Sequence, residues 1–276
     1  MRRPEEIKAR LGNIEQVEGV VVAMRALAAG HAQEAKRHLS AIREQEATVA
    51  RAMVDALALL SAPPHPEAEP MDGKHLRIVV GAAQGFSGSY SERIVAGAVS
   101  DAPSTEFLLI GQRCISEFET RGVSSVWSAN MAAHAAEVPA LASRVVDAVF
   151  ALLAGGAISH VSIVYGEPAV TGPTLTIRQL MPFDFTRFDG TARPVQPLLT
   201  LPPSVLVTRL VEEYVFTEIC EALMLGFAAE NDARITAMSR ARSNVRQIRE
   251  GLRGEFAQAR QEQTTTEIIE LSDDAE

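Results

Sequence analysis

The sequence predicts an α/β protein with long helices, in which the N- and C-terminal helices form an antiparallel coiled coil attached to a small α/β domain. Two observations lead to this prediction. Helical periodicity continues without interruption over about residues 4–60 and about residues 204–271, while short apolar runs alternate with candidate helices between them. We therefore expect three parts: residues 1–61, residues 62–203 and residues 204–276.

The first helix is predicted from Pro4 to about Leu60. Glu5 and Glu6 suit its first turn because acidic side chains are stabilised at the positive end of a helix dipole. Every seventh residue is apolar, which indicates a coiled-coil seam. These residues are Ile7, Ile14, Val21, Ala28, Ala35, Ile42, Val49 and Ala56. The second position of the seam is interrupted by Glu18, Arg25 and Glu46. The small residues that allow close approach of another helix, for which the C-terminal helix is the candidate, are Ala28, Ala29, Ala32 and Ala35.

The middle of the chain has the pattern of a Rossmann-like α/β domain. Residues 62–75, APPHPEAEPMDGKH, are predicted to form a proline-rich linker, since prolines cannot continue the helix. The apolar runs 76–81, 107–111 and 160–166 resemble buried parallel strands, and 174–183 is a further strand. The candidate helices are Ser91–Ser100 and Pro139–Ala154. Thr191–Pro203, with four prolines, leads into the last helix.

The last helix is predicted to follow Pro202 and Pro203 and to reach Leu271. At about 1.5 Å per residue it would be roughly 100 Å long, so we expect most of it to protrude. One side is apolar, formed by Met238, Val245, Leu252, Phe256 and Ala259. A sector beside it, called the basic ridge below, contains Arg242, Arg246, Arg249, Arg253 and Arg260. Such arginines are often only a solvated face, but the adjacent apolar seam favours pairing with acidic groups of a partner.

The composition limits the classes of function. The net charge of −9 argues against nucleic acid as a partner of the whole molecule. Cys114 and Cys220 form no disulfide framework and are expected to be free, partly buried thiols in a reducing compartment. The first residues lack a signal-peptide pattern, and the chain has no run of 18 apolar residues. We therefore expect a cytoplasmic protein that reaches a membrane only through partners.

Two motifs are candidate sites of chemistry. The loop GAAQGFSGSY (81–90) is glycine-rich, but it lacks the Gly-Lys-Ser/Thr ending of a P-loop and the third glycine of a dinucleotide fingerprint. Its Ser87 is one residue out of register for a nucleophile elbow. His31 and His38 flank Glu34, yet two histidines about 10 Å apart along a helix cannot bind one ion. We therefore expect no catalytic residue, no cofactor and no metal ligand.

Both ends of the chain resemble the γ subunit of F-type ATP synthases. The segment AENDARITAMSRARSNVRQIREGLRGEFAQARQEQTTTEIIEL is similar to the closing signature of that family. The agreeing positions there are Ala233-Arg234, Ala237-Met238, Asn244, Leu252, Glu255, Ala259-Arg260-Gln261, Thr265 and Glu267-Ile268. The segment EEIKARLGNIEQVEGVVVAMRALAA is similar to the opening helix. The agreeing positions there are Glu6-Ile7, Ala23-Met24 and Ala28-Ala29, and the central loop agrees at Gly85 and Gly88.

The resemblance implies a central rotor shaft. It would couple ion translocation to ATP synthesis or hydrolysis and regulate ATPase activity and ion flow, without an active site of its own. The implied partners are three α and three β ATPase subunits, an ε subunit and the membrane rotor ring, and the implied location is the cytoplasmic face of the cell inner membrane, as a peripheral subunit. The implied shaft contacts are Met24, Arg242, Arg246, Arg249, Arg253, Arg260, Gln261, Thr265 and Glu267.

The sequence also departs from the pattern of that family. Two lysines usual before the Ala23-Met24 pair are replaced by Gly19 and Val22, and an Asp-Arg pair before Gly85 is replaced by Ala83-Gln84. An asparagine expected near residue 257 is absent. These departures indicate a divergent member, with a sodium-translocating ATPase as one alternative. A coiled-coil adaptor, or an enzyme that uses the 81–90 loop, would fit the composition without the resemblance.

Overall fold

A computed structural model describes residues 4–60, 73–100, 105–188, 190 and 198–273, except for the side chains of residue 267 and residues 269–273. Residues 61–72, which include most of the predicted linker, lie outside this part, as do residues 191–197 of the segment before the last helix. The linker prediction was wrong at its end, because Lys74 and His75 already belong to the first strand. At the start of this strand, the backbone N–H of Lys74 donates a hydrogen bond of 2.9 Å to the carbonyl oxygen of Ala157.

The two long helices are present at the predicted ends of the chain. Helix α1 is Pro4–Leu57, and helix α5 is Pro203–Asp273 with 71 residues. All eight first-position residues of the α1 seam are buried or half-buried, so the heptad pattern is confirmed. Of the four small residues, three are buried and Ala29 is exposed, which shows that Ala29 is not part of the helix contact.

A five-stranded sheet lies between these helices in the chain. Its strands are β1 (Lys74–Val80), β2 (Thr105–Ile110), β3 (Trp127–Ala129), β4 (Ile158–Glu167) and β5 (Thr174–Met181), in the order β3-β2-β1-β4-β5. The first four are parallel and β5 pairs antiparallel with β4. Ile78 of β1 lies between Leu108 and Ile163, and all three are fully buried. The four β-branched or leucine-rich strands were predicted, whereas the three-residue β3 was not.

Three shorter helices complete the α/β part: α2 (Tyr90–Val99), α3 (Gln112–Thr120) and α4 (Val138–Ala154). Helices α2 and α4 were predicted to within one residue at each end, but α3 was not. Arg77 of β1 is buried and donates hydrogen bonds to the carbonyl oxygens of Ala98 (2.6 Å) and Ser100 (3.2 Å). This guanidinium therefore satisfies carbonyl groups that the end of α2 leaves without helical partners.

The chain forms two compact units. The larger one, residues 29–233, contains the sheet, helices α2–α4 and the adjoining parts of α1 and α5. Its main core joins Met53 of α1, Ile78 of β1, Ile163 of β4 and Ile219 of α5. The smaller one contains the first 28 residues and residues 234–276. Its described part consists of two helical segments. The division into residues 1–61, 62–203 and 204–276 stays a prediction.

The two cysteines are free thiols, as the sequence predicts. Cys114 and Cys220 are free and buried, and burial raises the pKa of each thiol to about 12. Both thiols are therefore protonated and unreactive near neutral pH. Among the described residues, we find no helix with an apolar stretch sufficient to span a lipid bilayer.

Candidate partner interface

The smaller unit is an antiparallel helix pair. On α5, Met238, Val245 and Leu252 are buried, while Phe256 and Ala259 are half-buried, as the predicted seam requires. Arg249 forms an ion pair with Glu18, and Arg253 approaches Glu15 at 4.0 Å. The position on α1 decreases as the position on α5 increases. The two segments therefore run in opposite directions, in agreement with the predicted antiparallel arrangement.

Two members of the basic ridge are directed at α1. The ion pair of Arg249 and Glu18 is largely shielded from solvent, whereas the Arg253 and Glu15 side chains are mostly exposed. A shielded, hydrogen-bonded ion pair specifies the register of two helices more strongly than an exposed one. Glu18, which interrupts the α1 seam in the sequence, is the ion-pair partner of Arg249.

Three other members of the ridge form no ion pair with the described side chains. Arg246 and Arg260 are exposed, and neither forms an ion pair among the side chains that the structure describes. Arg242 is half-buried, and its Nε atom has no hydrogen-bond partner within the same set of residues. The exposed guanidinium groups of Arg246 and Arg260, unlike that of Arg249, are available to an acidic partner.

The remaining predicted contacts lie near the C-terminal end of α5 and on α1. Arg260, Gln261 and Thr265 border one open groove of about 510 Å³, together with Phe256, Ala257 and Thr264. The Thr265 hydroxyl donates to the Gln261 carbonyl oxygen (2.9 Å), so its hydrogen is directed along the helix. Met24 is half-buried on α1. Glu267 lies in α5, but its side chain is outside the described part.

An apolar stripe on α1 was missed by the sequence reasoning. Val17, Val20, Met24 and Leu27 are spaced by three, four and three residues, which places them on one face of the helix. Val17, Val20 and Leu27 are exposed, by 47%, 59% and 65%. The spacing is the sequence signal of this stripe, and it is weaker than the heptad pattern of the seam beside it.

The glycine-rich loop after β1 has an internal anion. The carboxylate of Glu230, on α5, is buried and accepts hydrogen bonds from the backbone N–H groups of Ala83 (3.0 Å) and Gln84 (3.3 Å). In nucleotide-binding folds such amide groups bind phosphate. Here they already donate to the carboxyl oxygens of Glu230, which argues against a phosphate site.

The tip of the same loop exposes an aromatic ring. Phe86 has a positive φ of 67° and is 66% exposed, and Gly88 has a φ of 60°. A bulky residue in the left-handed region is strained. Ser87 between them is buried, so its hydroxyl is not presented as that of a nucleophile elbow would be.

The larger unit contains an ionic cluster with two buried carboxylates on α5, which joins α1, β5 and α5. Glu221 accepts hydrogen bonds from Arg43 (2.9 Å) and Arg178 (2.8 Å). Glu218 accepts one from Arg187 (2.9 Å) and lies 3.8 Å from Arg178. Glu46, a second interruption of the α1 seam, accepts a hydrogen bond from the Tyr214 hydroxyl (2.9 Å).

The two buried carboxylates of this cluster differ in acidity. Burial raises the pKa of Glu218 in spite of Arg187 and Arg178, because desolvation disfavours the charged form more than these cations favour it. Burial also acts on Glu221, but hydrogen bonds from Arg178 and Arg43 outweigh it and hold the pKa below its ordinary value. The Oε2 atom of Glu218 has no hydrogen-bond partner among the described residues, which agrees with the weaker stabilisation of its charge.

His31 of α1 packs against two aromatic rings. The His31 ring lies 5.7 Å from the rings of both His134 and Phe227. Among the described residues, no group of three or more His, Cys, Asp and Glu side chains is arranged to hold a metal ion.

Comparisons with known proteins agree along the whole chain. A family model described as ATP synthase matches residues 3–276. An ATP synthase gamma chain of Sulfurihydrogenibium sp. is 24% identical over 99% of this chain and 97% of its own length. An ATP synthase gamma chain of Bdellovibrio bacteriovorus has the same identity and the same coverage.

Solved structures share the fold. A chain of the Euglena gracilis mitochondrial ATP synthase rotor matches with a TM-score of 0.64 and 13% identity, covering 95% of this chain and 98% of that chain. A chain from the central stalk and c-ring of the Tetrahymena thermophila enzyme matches with a TM-score of 0.53 and 15% identity, over 80% of this chain and 99% of that chain. At this level of identity, the likeness concerns the fold.

Proposed function

Since this chain belongs to the family of ATP synthase γ chains, it is a central-stalk subunit of such an enzyme, and we propose that its terminal helix pair is the part that contacts the ATPase subunits. One observation carries this proposal. Arg246 and Arg260 are exposed on a helix pair whose apolar seam is buried between its two helices. Exposed guanidinium groups recognise carboxylates through paired hydrogen bonds.

The helix pair would act mechanically and not chemically. Its seam and the Arg249–Glu18 ion pair hold two helices in one register, while Arg242, Arg246 and Arg260 make one flank positive. A shaft with a charged flank presents different surfaces to the subunits around it as it turns. Each ATPase subunit would then be biased toward a different conformation in sequence, since a ligand or partner shifts an equilibrium only through differential contacts.

Membership of the family supports several finer proposals. We propose three α and three β subunits around the shaft, an ε subunit and the membrane rotor ring beside the α/β domain, and a peripheral location on the cytoplasmic face of the cell inner membrane. Met24, Gln261, Thr265 and Glu267 join the arginines as proposed contacts. Arg249 and Arg253 are proposed to act partly through their pairing with α1.

The test is binding of the chain to the α and β ATPase subunits of its own organism. The wild-type chain is expected to co-purify with both. The double variant Arg246→Gln and Arg260→Gln is expected to bind about tenfold more weakly, since two partner-facing ion pairs of about 0.7 kcal/mol each would be lost. This difference should shrink at high salt because exposed charges are screened.

A matched control is Arg240→Gln. Arg240 is exposed on the same helix, but lies about 120 to 160° around the helix axis from Arg246 and Arg260. It should bind as the wild type does. Equal losses of affinity for Arg240→Gln and for the double variant Arg246→Gln and Arg260→Gln would argue for a non-specific charge effect. Absence of binding by the wild type would refute the proposed function.

A further inference from the structure

The ionic cluster of the larger unit, formed by Arg43, Arg178, Arg187, Glu218 and Glu221, connects parts of the chain that are far apart in sequence. Arg43 lies on α1, Arg178 lies on β5, and Arg187 lies in the short helical turn after β5. All three cations approach two carboxylates that are three residues apart on α5 and therefore share one helix face. The cluster thus connects both long helices with a strand at the edge of the sheet.

The two carboxylates are the least accessible charged groups of the cluster. The side chains of Glu218 and Glu221 are 1% and 7% exposed, whereas those of Arg43 and Arg187 are much more accessible to solvent. Ion pairs at such buried carboxylates add little net stability, because desolvation of the charges offsets their attraction. Apolar side chains of similar size often fill the same space without a loss of stability. The stability of the core therefore does not account for the cluster.

Directional bonds distinguish the cluster from the apolar core around it. Glu221 accepts hydrogen bonds from Arg43 (2.9 Å) and Arg178 (2.8 Å). Glu218 accepts one from Arg187 (2.9 Å). Since such side chains lie about 5 to 6 Å from the helix axis, turning α5 by about 20° would move each carboxylate by about 2 Å. That displacement is enough to break these hydrogen bonds. Apolar contacts are non-directional, so they resist such a turn less.

Tyr214 adds a further link between the same elements. Its hydroxyl donates a hydrogen bond to Glu46 of α1 (2.9 Å) and accepts one from Arg187 (3.2 Å). The guanidinium of Arg187 also lies 5.4 Å from the centre of the Tyr214 ring, and Phe188 packs edge-on against this ring at 5.0 Å. Arg187 therefore contacts α5 at two positions one turn apart, Tyr214 and Glu218.

We propose that the ionic cluster fixes the angle at which α1 and α5 are seated on the sheet, so that the helices do not turn on the sheet under torque. This inference rests on the proposed function, in which the chain transmits rotation. Helices α1 and α5 both extend from the larger unit into the smaller one, so torque on the sheet reaches the terminal segments along these helices. The members of the cluster are accordingly positioning residues, which act through the helices and not on nucleotide.

The test is a triple variant, Arg178→Met, Glu218→Met and Glu221→Met, of the full-length chain, assembled into the complete ATP synthase in vesicles. Methionine adapts to irregular apolar space. Removing all three charges together leaves no unpaired charge in the core, because Arg43 and Arg187 reach solvent. The urea midpoint of the variant chain should therefore equal or exceed that of the wild type.

The decisive measurement is the ratio of ATP-driven ion uptake to ATP hydrolysis. Uptake is followed with a pH-sensitive dye and with radioactive sodium. The ratio should fall by about threefold in the triple variant, as expected if the fixed angle becomes one of a few equally populated ones. The deficit should grow as the ion gradient builds up, because the load then turns the helices on the sheet. ATP hydrolysis should continue at the rate of the wild type.

Two controls separate positioning from a general effect of charge. The double variant Arg209→Met and Glu212→Met removes an ion pair of 2.7 Å that lies wholly within α5 and is mostly exposed, and it should keep the wild-type ratio. The single variant Arg178→Lys retains a cation on β5, although without the paired donors of arginine. It should therefore keep more of the ratio than Arg178→Met.

Each outcome decides between the two proposals. A triple variant that transports as many ions per ATP as the wild type would overturn this inference and leave the proposed function intact. A ratio that falls only together with the urea midpoint would make the cluster a structural support, which also overturns the inference. If the triple variant does not assemble, equal ratios for Arg178→Lys and Arg178→Met would overturn it, and a higher ratio for lysine would support it. If the wild-type chain does not join the ATPase subunits, the proposed function itself fails.

Discussion

Two neighbouring carboxylates on one helix face have opposite electrostatic roles. Glu218 and Glu221 are both buried on α5 and both lie near Arg178. Glu221 receives two charge-assisted hydrogen bonds, whereas Glu218 receives one and leaves its second oxygen without a described partner. The folded chain therefore favours ionised Glu221, but it favours protonated Glu218 relative to the unfolded chain.

The contributions of these two residues to stability should change with pH in opposite directions. The pKa of Glu218 is above its ordinary value of 4.5, so its contribution is fully present below about pH 4.5 and lost as pH rises through the folded-state pKa. The pKa of Glu221 is below 4.5, so its contribution is present above about pH 4.5 and lost as pH falls. Glu221→Gln should cost about 2 kcal/mol near neutral pH, with a smaller deficit in acid. The stability deficit of Glu218→Gln relative to the wild type should be larger in acid than near neutral pH.

Urea unfolding of the wild type and the two variants between about pH 4 and about pH 8 measures this directly. The two differences in unfolding free energy should change with opposite sign across that range. A parallel change in both would contradict the assignment of the two environments.

The cluster could not be predicted from the sequence. Arg43, Arg178, Arg187 and Glu221 come from separate elements, and no local spacing relates them. The seam interruptions Glu18 and Glu46 were recognised, but their partners Arg249 and Tyr214 are more than 150 residues away in the chain. Periodicity gives the face of a helix and not the identity of the side chain that meets it.

At the level of elements, small residues set how closely the helices approach. Ala35 is fully buried against the core, whereas Ala29, six residues earlier on the same helix, is exposed. Ala35→Leu should destabilise the chain by about 2 kcal/mol, because added methyl groups overfill a packed contact. Ala29→Leu should change the stability by less than about 0.5 kcal/mol.

Thermal or chemical unfolding of both variants tests this contrast. Leucine and alanine have similar helix propensities, so the difference reports packing. Equal stability of the two variants would mean that the helices separate at Ala35 without cost.

Element prediction succeeded where patterns were long. Helix α5 was predicted within two residues of its observed ends, because 71 residues provide many turns of periodicity. Helix α3 was missed, since in its nine residues just Cys114 and Phe118 are buried. Strand β3 has three residues, too few for an alternating pattern. Both elements were missed because they are short, and not because their residues are unusual.

At the level of the whole molecule, the two compact units differ in what stabilises them. The larger unit has a core of sheet and helices in which many side chains are fully buried. The smaller unit has a single seam, in which Ile7, Val21, Met238, Val245 and Leu252 are buried. Long helices derive most of their stability from packing, so the smaller unit should open more readily.

Amide hydrogen exchange of the isolated chain should show this difference. Opening free energies for amides of residues 4–28 and 234–260 should be lower than those in β1 and β4 by on the order of 3 kcal/mol. Binding of the ATPase subunits should raise protection in the first set and leave the strands unchanged. Uniform protection in the isolated chain would contradict the expectation.

The antiparallel pairing of α1 with α5 also restricts how the gene can change in length. Deleting one codon within α1 would turn every later side chain of that helix by about 100° and move Glu18 or Glu46 away from its partner. Deleting the same codon from a connecting segment would leave those pairings in place. Natural variation in length should therefore accumulate in the connections and spare both long helices, or occur in them as whole seven-residue repeats.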